Sequence, residues 1–340
     1  MTVSWAAGLD ALLRNEAEPD DVTAMLLHVL DGQATPEQVG AFIASCRIGA
    51  ERVDIVAALR TAMVQRMVAV SLPDDLRAAA VDIVGTGGDG SNSINISTGA
   101  ALVVAAGGVP VVKHGNRAAS SACGSADVLE ALGIPLHTEA DRVVNDVVEF
   151  GFGFCFAPTF HPGLRHLAPI RRALGIRSVL NLLGPLVNPA SVRRSVVGVA
   201  TTEALGLVAD SLAVDHDVMS MVVHGDEGLD EVSISGPTQV ADVSSGVVSR
   251  RMLDTADFDD DVQPTALNDL RGGTADHNAD VLLAVFQGQP GAARDAIVRN
   301  AALGFVVGGA ATTLIEGVRK ARAVLDNGDV VKLVELLRKQ

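Results

Sequence analysis

The sequence contains no tyrosine and a single tryptophan, and its three cysteines stand far apart. Cys46, Cys123 and Cys155 show no C-x-x-C spacing, so a zinc knuckle or disulfide framework is a poor fit and reduced thiols a good one. No apolar run approaches the roughly 18 uninterrupted residues of a membrane-spanning helix. Basic residues are outnumbered, 26 Lys and Arg against 41 Asp and Glu, which leaves a formal net charge of −15. That balance argues against nucleic acid or an anionic membrane as the main partner, and leaves room for a local basic pocket. The opening MTVSWAAGLDALL lacks the basic n-region of a signal peptide, so a cytoplasmic location is expected. Repeats, low-complexity tracts and an obvious Ser/His/Asp set are also absent. At 340 residues and 48% apolar composition, the chain can bury a large core and is long enough for two units.

What is present centres on Val81 to Gly133. Two short apolar runs, Val81–Val84 and Val109–Val112, each end in a loop rich in Gly, Ser, Asn and Thr. Each loop leads into an apolar helical segment, Gly99–Ala106 and then Ala126–Leu132. Strand, loop and helix, written twice, predict a parallel sheet with ligand-binding loops at its strand ends. Gly85 to Gly90 also satisfies G-x-G-x-x-G. A dinucleotide site, however, needs the helix at once and an acid at the end of the next strand. Here five polar residues intervene before Thr98, and the second strand ends in Lys113-His114, which suits phosphate. Successive glycines let backbone N–H groups approach an anion, and Ser97 and Thr98 stand at a helix start. Ser120, Ser121 and Ser125 repeat the arrangement, with Lys113 and Arg117 adding charge. Against this stands the plainer reading that Ser97 and Ser125 are N-caps and the glycines turns; two such loops with bases between them favour a polyphosphorylated ligand.

Residues 1–75 read as helices, including a capping box at Thr35-Pro-Glu-Gln38 and a helix over Val53 to Val68. Their surplus of Leu, Ile and Met serves either a private core or a dimer face. Leu72-Pro-Asp-Asp75 is the expected hinge into an α/β unit covering 76–340. Asp141–Glu149 reads as a helix, and Phe150 to Phe156 alternates as a strand with four aromatics on one face, more simply a packed sheet face than a ligand wall. His161-Pro162 opens a segment carrying Arg165, Arg171, Arg172 and Arg177, in which Pro169 marks a kink or a true helix start. Val196–Ala200, Met219–His224 and Val232–Ser235 are further strands. Between the last two, Asp226, Glu227, Asp230 and Glu231 form an acidic turn. By default such a cluster is a solvated surface turn, but hard oxygen ligands of this kind also suit a metal that rides on phosphates. Asp254–Asp261 reads as an exposed acidic loop, and helices from Ala279 onward close the chain.

Several of these blocks carry a resemblance. GTGGDG followed by NIST, KHGNR followed by GSADVLEALG, FAPTFHP, LAPIRRALGIRSVLNLLGPLVNP and HGDEGLDE occur here in order over nearly the whole chain. In these motifs the chain resembles the anthranilate phosphoribosyltransferase family. The resemblance implies an α/β fold, a small N-terminal helical domain plus a larger domain with a central, mainly parallel sheet flanked by helices. Part of 160–190 is expected to join the helical domain in space. It implies transfer of the 5-phosphoribosyl group of phosphoribosyl pyrophosphate (PRPP) to the amine of anthranilate, with release of pyrophosphate, as a step of tryptophan biosynthesis. Implied PRPP contacts are Gly85, Gly88 and Asp89 in the first loop, then Ser93, Asn95, Ile96, Ser97 and Thr98. They continue through Lys113, His114, Gly115, Asn116, Arg117 and Ala118 to Ala119, Ser120 and Ser121, and end at Ser125. For anthranilate the match points to Gly85, Asn116, Ala157 and Pro158, then to His161, Arg171, Gly184 and Pro185, with Arg171 on the carboxylate. Two Mg²⁺ ions are implied, with Ser97, Asp230 and Glu231 as ligands, and so is a homodimer through the helical domain. His114, Asn116 and Arg171 are expected to position substrate; His114 is more a positioning group than a base. Asp226 and Glu227 are left as a solvated turn.

Two rivals are distinguishable. A pyrimidine nucleoside phosphorylase would carry a Lys-His-Ser-Thr type loop, where this chain has Lys113-His-Gly-Asn116. A non-catalytic nucleic-acid binder is opposed by the net charge and by the Asp230-Glu231 pair. The chain departs from the family's usual pattern at Ser91-Asn-Ser-Ile94, His161-Pro-Gly-Leu164 and Ala122-Cys123, which bears on the acid channel and the second loop, not on the reaction.

Overall fold

The structure, a computed structural model, describes residues 3–48, 52–118, 122–258 and 266–340. The small N-terminal domain is helical: Trp5–Leu13, Pro19–Leu30, Pro36–Ile48 and Val53–Arg66. Its capping box forms as the sequence indicates, with the Thr35 N–H donating to Gln38 Oε1 (2.9 Å) and the Gln38 N–H to Thr35 Oγ1 (3.3 Å). The fourth helix stops at Arg66, short of Val68, whose N–H donates instead to the Phe160 carbonyl (2.7 Å).

The larger domain holds seven strands: β1 (Val81–Gly85), β2 (Val111–Gly115), β3 (Phe152–Phe156), β4 (Arg194–Gly198), β5 (Met219–Gly225), β6 (Thr238–Ser244) and β7 (Val247–Leu253). Their spatial order is β3-β2-β1-β4-β5-β6-β7. The first five run parallel, and β6 and β7 extend the sheet as an antiparallel hairpin. Strand order reverses at β1, with β2 on one side and β4 on the other. The crevice outside the carboxyl ends of strands at such a reversal is where open α/β sheets take ligands.

One sheet face, with Val81, Ile83, Val111 and Phe152, packs under Ile96–Ala106 and the C-terminal helices, including Ala292–Val307. The other, with Val84, Val197 and Val222, shares a core with Leu26, Val29, Ile55 and Leu59 of the N-terminal helices and with Leu167, Leu180, Leu183 and Leu186. Each such fully buried side chain contributes about 1.5–3 kcal/mol. The segment 160–190 therefore packs with the helical domain as well as the sheet.

Several local expectations are corrected. Phe150 ends the helix Ala140–Phe150, and Gly151 caps it in the left-handed region (φ 75°), so the alternating run contributes Phe152, Phe154 and Phe156 to β3, not four aromatics. The helix after the first glycine-rich loop starts at Ile96 with Asn95 as its cap residue, and that after the second loop at Ser125 with Gly124; Ser97 and Ser125 thus lie inside the first turns and are not N-caps. Val232–Ser235 alternates like a strand but is irregular, because side chains take its N–H groups: Val232 donates to Asn300 Oδ1 (3.1 Å) and Ser233 to Thr238 Oγ1 (2.9 Å). Phe258, expected in an exposed loop, closes a short 3-10 turn and is buried, with the Arg299 guanidinium 5.2 Å from its ring centre.

Candidate active site

The loop after β1 is shaped by its glycines. Gly87, Gly88 and Gly90 all adopt positive φ (67°, 76° and 79°), a backbone that L side chains rarely take. The loop is braced from outside by residues that sequence reasoning did not single out. Ile94 N–H donates to the Leu270 carbonyl (2.9 Å), Gly272 N–H to the Asn92 carbonyl (2.8 Å), and the buried Asn278 donates to Asn95 Oδ1 (2.9 Å). Asn95 in turn donates to the Cys123 carbonyl (3.2 Å), tying the first loop to the second. Only the run GGTADHN, ahead of a helix, hinted at this brace.

Lys113 is inside β2 rather than beyond it, and is 2% exposed. Its ammonium donates to the Ile83 carbonyl and to Ser97 Oγ (3.3 Å), at the start of the Ile96–Ala106 helix. Burial holds its pKa below the usual lysine range, while Asp82, Glu231 and Asp230 pull it back up. Arg117 borders the same space with its charge already engaged. It is exposed and paired with Asp127 and Glu130, and its guanidinium lies 5.5 Å from the Phe156 ring centre. Asp127 also takes the N–H groups of Ala118 and Gly124, at 2.9 Å each, which ties both of these residues to the first turn of the Ser125–Ala131 helix.

Asp230 and Glu231 enter the same space from the β5–β6 connection. Two strand-end glycines make room for them. Gly85 and Gly198 are cross-strand partners in β1 and β4, and a Cβ built on Gly198 would lie 1.6 Å from the Asp230 carbonyl oxygen. Asp230 Oδ2 accepts the Gly87 N–H (2.8 Å) and Glu231 Oε1 accepts the Ser97 N–H (2.9 Å). Burial first, and then each one's carboxylate neighbours, Asp89 for Asp230 and Asp230 for Glu231, push both well above the ordinary carboxylate range. Glu227 is not a solvated residue: its Oε1 accepts from the hydroxyls of Ser233 (2.6 Å) and Ser235 (2.9 Å), pinning the turn. Adjacent carboxylates, Glu231 buried and Asp230 half-buried, that resist ionising together are suited to a divalent cation, which replaces their protons. Among the described residues no group of three or more His, Cys, Asp or Glu could hold a metal alone. Such a donor set fits Mg²⁺ bound mainly through phosphate and water.

These parts line one cavity of about 780 Å³. Its wall includes the expected residues from Gly85 to Thr98, Lys113 to Ala118, Ser125, Arg171, Asp230 and Glu231. Ala119, Ser120 and Ser121 lie outside the described residues, as does the end of the acidic run from Asp259 to Asp261. Ala157, Pro158, His161, Gly184 and Pro185 are not in that wall. His161 instead lies behind His114, ring centres 5.0 Å apart; its Nε2 meets the Val187 carbonyl (3.0 Å), while His114 Nδ1 meets that of Gly184 (3.0 Å). Burial, and then His161, lower the His114 pKa to about 3, so it is a neutral imidazole. Pro185 borders a second cavity of about 400 Å³ on the other side of Asp82. Pro169 stands within the first turn of the helix Ala168–Leu174, which carries Arg171. The Arg171 guanidinium is half-buried, faces the main cavity and has no ion pair among the described residues; burial lowers its pKa. Sequence reasoning also left unassigned Arg177, whose guanidinium donates to the Gly88 carbonyl.

Comparison with known proteins agrees with this arrangement. The family described as "Glycosyl transferase family, a/b domain" matches residues 77–331, and "Glycosyl transferase family, helical bundle domain" matches residues 12–67. The anthranilate phosphoribosyltransferase of Thermomicrobium roseum is 43% identical over 320 residues, 94% of this chain and 91% of its own. This chain belongs to the anthranilate phosphoribosyltransferase family. Among solved members, the Thermus thermophilus enzyme is 37% identical, covers 98% of both chains and superposes with a TM-score of 0.90. The Saccharomyces cerevisiae anthranilate phosphoribosyltransferase, solved in complex with PRPP and Mg, is 28% identical, with a TM-score of 0.88 over 100% of this chain and 98% of its own. The α/β architecture with its helical domain is thus the family's own.

Proposed function

We propose that this chain transfers the 5-phosphoribosyl group of PRPP to the amine of anthranilate, giving N-(5-phosphoribosyl)anthranilate and pyrophosphate, within tryptophan biosynthesis. The observation that carries this reading is the meeting, in one cavity at the sheet's reversal point, of two glycine- and serine-rich loops, the Asp230-Glu231 pair and an Arg171 with no ion pair among the described residues. The glycine loop offers N–H groups to the phosphates, and Lys113 supplies the buried positive charge. Mg²⁺, when bound, neutralises the leaving pyrophosphate. Asp230 and Glu231 are its protein ligands in this reading, with Ser97 beside them, and two ions per chain fit the two phosphate groups. Arg171 receives the carboxylate of the aromatic acid and so holds its amine in line with the anomeric carbon. That amine is uncharged at neutral pH, so the neutral His114 and Asn116 act by positioning and not as a strong base. His161 and the Gly184 carbonyl stand against His114 and act on the acceptor through it, and Ala157, Pro158 and Pro185 keep the acceptor role that the family resemblance gives them.

The same reading includes a homodimer formed through the helical domain, a boundary near residues 75–76 and a cytoplasmic setting. No described helix is long and apolar enough to cross a membrane. One assay tests the activity: anthranilate fluorescence should fall only when PRPP, Mg²⁺ and enzyme are all present. Persistent fluorescence, or phosphate-dependent release of a base from a pyrimidine nucleoside, would overturn it.

A further inference from the structure

Arg177 lies on the segment that carries Arg171, yet it touches the other half of the cavity. Gly175 ends the helix Ala168–Leu174 in the left-handed region (φ 62°), with its N–H on the Arg171 carbonyl (3.1 Å). The chain therefore turns sharply after Arg171 and runs back over the glycine loop. Just past Arg177 it is pinned again, since the Ser178 N–H donates to Asn181 Oδ1 (3.2 Å). Between these two fixed points the Arg177 guanidinium lies against Gly88 and donates to its carbonyl; a Cβ added at Gly88 would meet Nη2 at 3.3 Å and Cζ at 3.6 Å. Arg177 has no ion pair among the described residues, so no carboxylate competes for it there. The next residue of the loop, Gly87, donates to Asp230 Oδ2 (2.8 Å). An unbroken series of contacts thus runs from the Arg171 helix through Arg177, Gly88 and Gly87 to the acidic pair.

We propose that Arg177 is a positioning residue that couples the two substrate half-sites, so that an anion held by the glycine loop raises the affinity of the Arg171 side for the aromatic acid. This rests on the functional reading above. Placing a diphosphate against the loop fixes Gly87 and Gly88, and through Arg177 fixes the segment that aims Arg171. By reciprocity the acid must favour the diphosphate by the same factor.

Anthranilate and Mg²⁺-pyrophosphate bind without reacting, which makes the coupling measurable. Anthranilate is titrated by its fluorescence with and without saturating Mg²⁺-pyrophosphate, on the full chain and on Arg177→Ala and Arg177→Lys. In the parent, the diphosphate should tighten anthranilate binding by about 5-fold or more. In Arg177→Ala that factor should fall to near one while anthranilate binding without the diphosphate changes about 2-fold at most, and Arg177→Lys should keep part of it. A full coupling factor in Arg177→Ala, or none in the parent, overturns the proposal. So does a loss of pyrophosphate affinity with the factor intact, which would make Arg177 a direct ligand. Failure of the parent to bind anthranilate at all would instead strike the functional reading itself.

Discussion

Asn300 accepts the N–H of Val232 on its side-chain oxygen (3.1 Å) and donates its amide to the Ala296 carbonyl (2.9 Å). It is fully buried on the helix Ala292–Val307, and through that one bond it fixes the residue next to Glu231. The neighbouring Arg299 adds a second hold, its Nη1 on the Ser233 carbonyl (2.8 Å). The acid pair is therefore held by side chains from behind, where a sheet ladder would otherwise serve.

Replacing Asn300 by Ala should leave the Val232 N–H without a partner, at about 1–3 kcal/mol of stability. The Mg²⁺ concentration for half-maximal turnover should rise at the same time. A metal titration beside a thermal melt checks both; a melt that falls while the titration stays put would deny Asn300 any influence on Glu231.

Gly198 tolerates no side chain, because its Cβ would occupy the place of the Asp230 carbonyl. That contact is with backbone, so Asp230 itself must move. Gly198→Ala should lower kcat/KM by about 100-fold, the usual effect of a displacement on the order of 1 Å near the chemistry. Steady-state kinetics on folded variant decide it, and parental values would remove Asp230 from the site.

Arg171→Ala should raise the KM for anthranilate about 10–100-fold, the worth of a charge-assisted hydrogen bond of roughly 1.5–3 kcal/mol. The KM for PRPP should move much less. An anthranilate KM unchanged by the substitution would reject the assignment.

The two neighbouring buried histidines, ring planes tilted by 49°, each make a contribution to stability that acidification removes. Burial lowers His114 to about 3 and His161 to about 4, both below the roughly 6.5 of an unfolded chain. Between those values the unfolded chain binds more protons, so stability is full above about 6.5 and declines as pH falls through the window. Asp82, Asp230 and Glu231, raised by burial to about 6, 7 and 8, act in the opposite sense, because the folded state holds their protons longer, so the histidine contribution is read as a difference between variants. Between about pH 6.5 and about pH 4.5, the Tm of His161→Gln should therefore rise relative to that of the parent as the pH is lowered. Parallel curves would show that His161 takes no part.

The readable parts of the sequence were the local ones. Val81 to Gly85, the glycine loop and the helix after it form one contiguous stretch, so apolar runs and turn residues alone placed them, with only the helix starts shifted by a few residues. Lys113 and the acidic pair could be named, though not their burial. What escaped depends on partners distant in sequence. Val232–Ser235 has the alternation of a strand, and nothing nearby announces that Asn300, 68 residues on, takes its first N–H. Arg177 looks like any solvated arginine until Gly88, 89 residues earlier, is brought beneath it. The antiparallel pair β6 and β7 was missed as well, its strands mixing Asp242, Arg250 and Arg251 with apolar residues at a half-exposed sheet edge.

That hairpin divides the sheet's last connections by the end at which they turn. Thr238 pairs with Gly225 at the carboxyl end, where the acidic segment crosses, whereas Ser244 pairs with Met219 at the opposite end. The bend between Ser244 and Val247 consequently sits a full strand length away from the cleft, on the margin of the molecule. A peptide tag or a small inserted domain grafted there should ride on the enzyme without disturbing its chemistry, while even one residue added between Asp226 and Pro237 should not be borne.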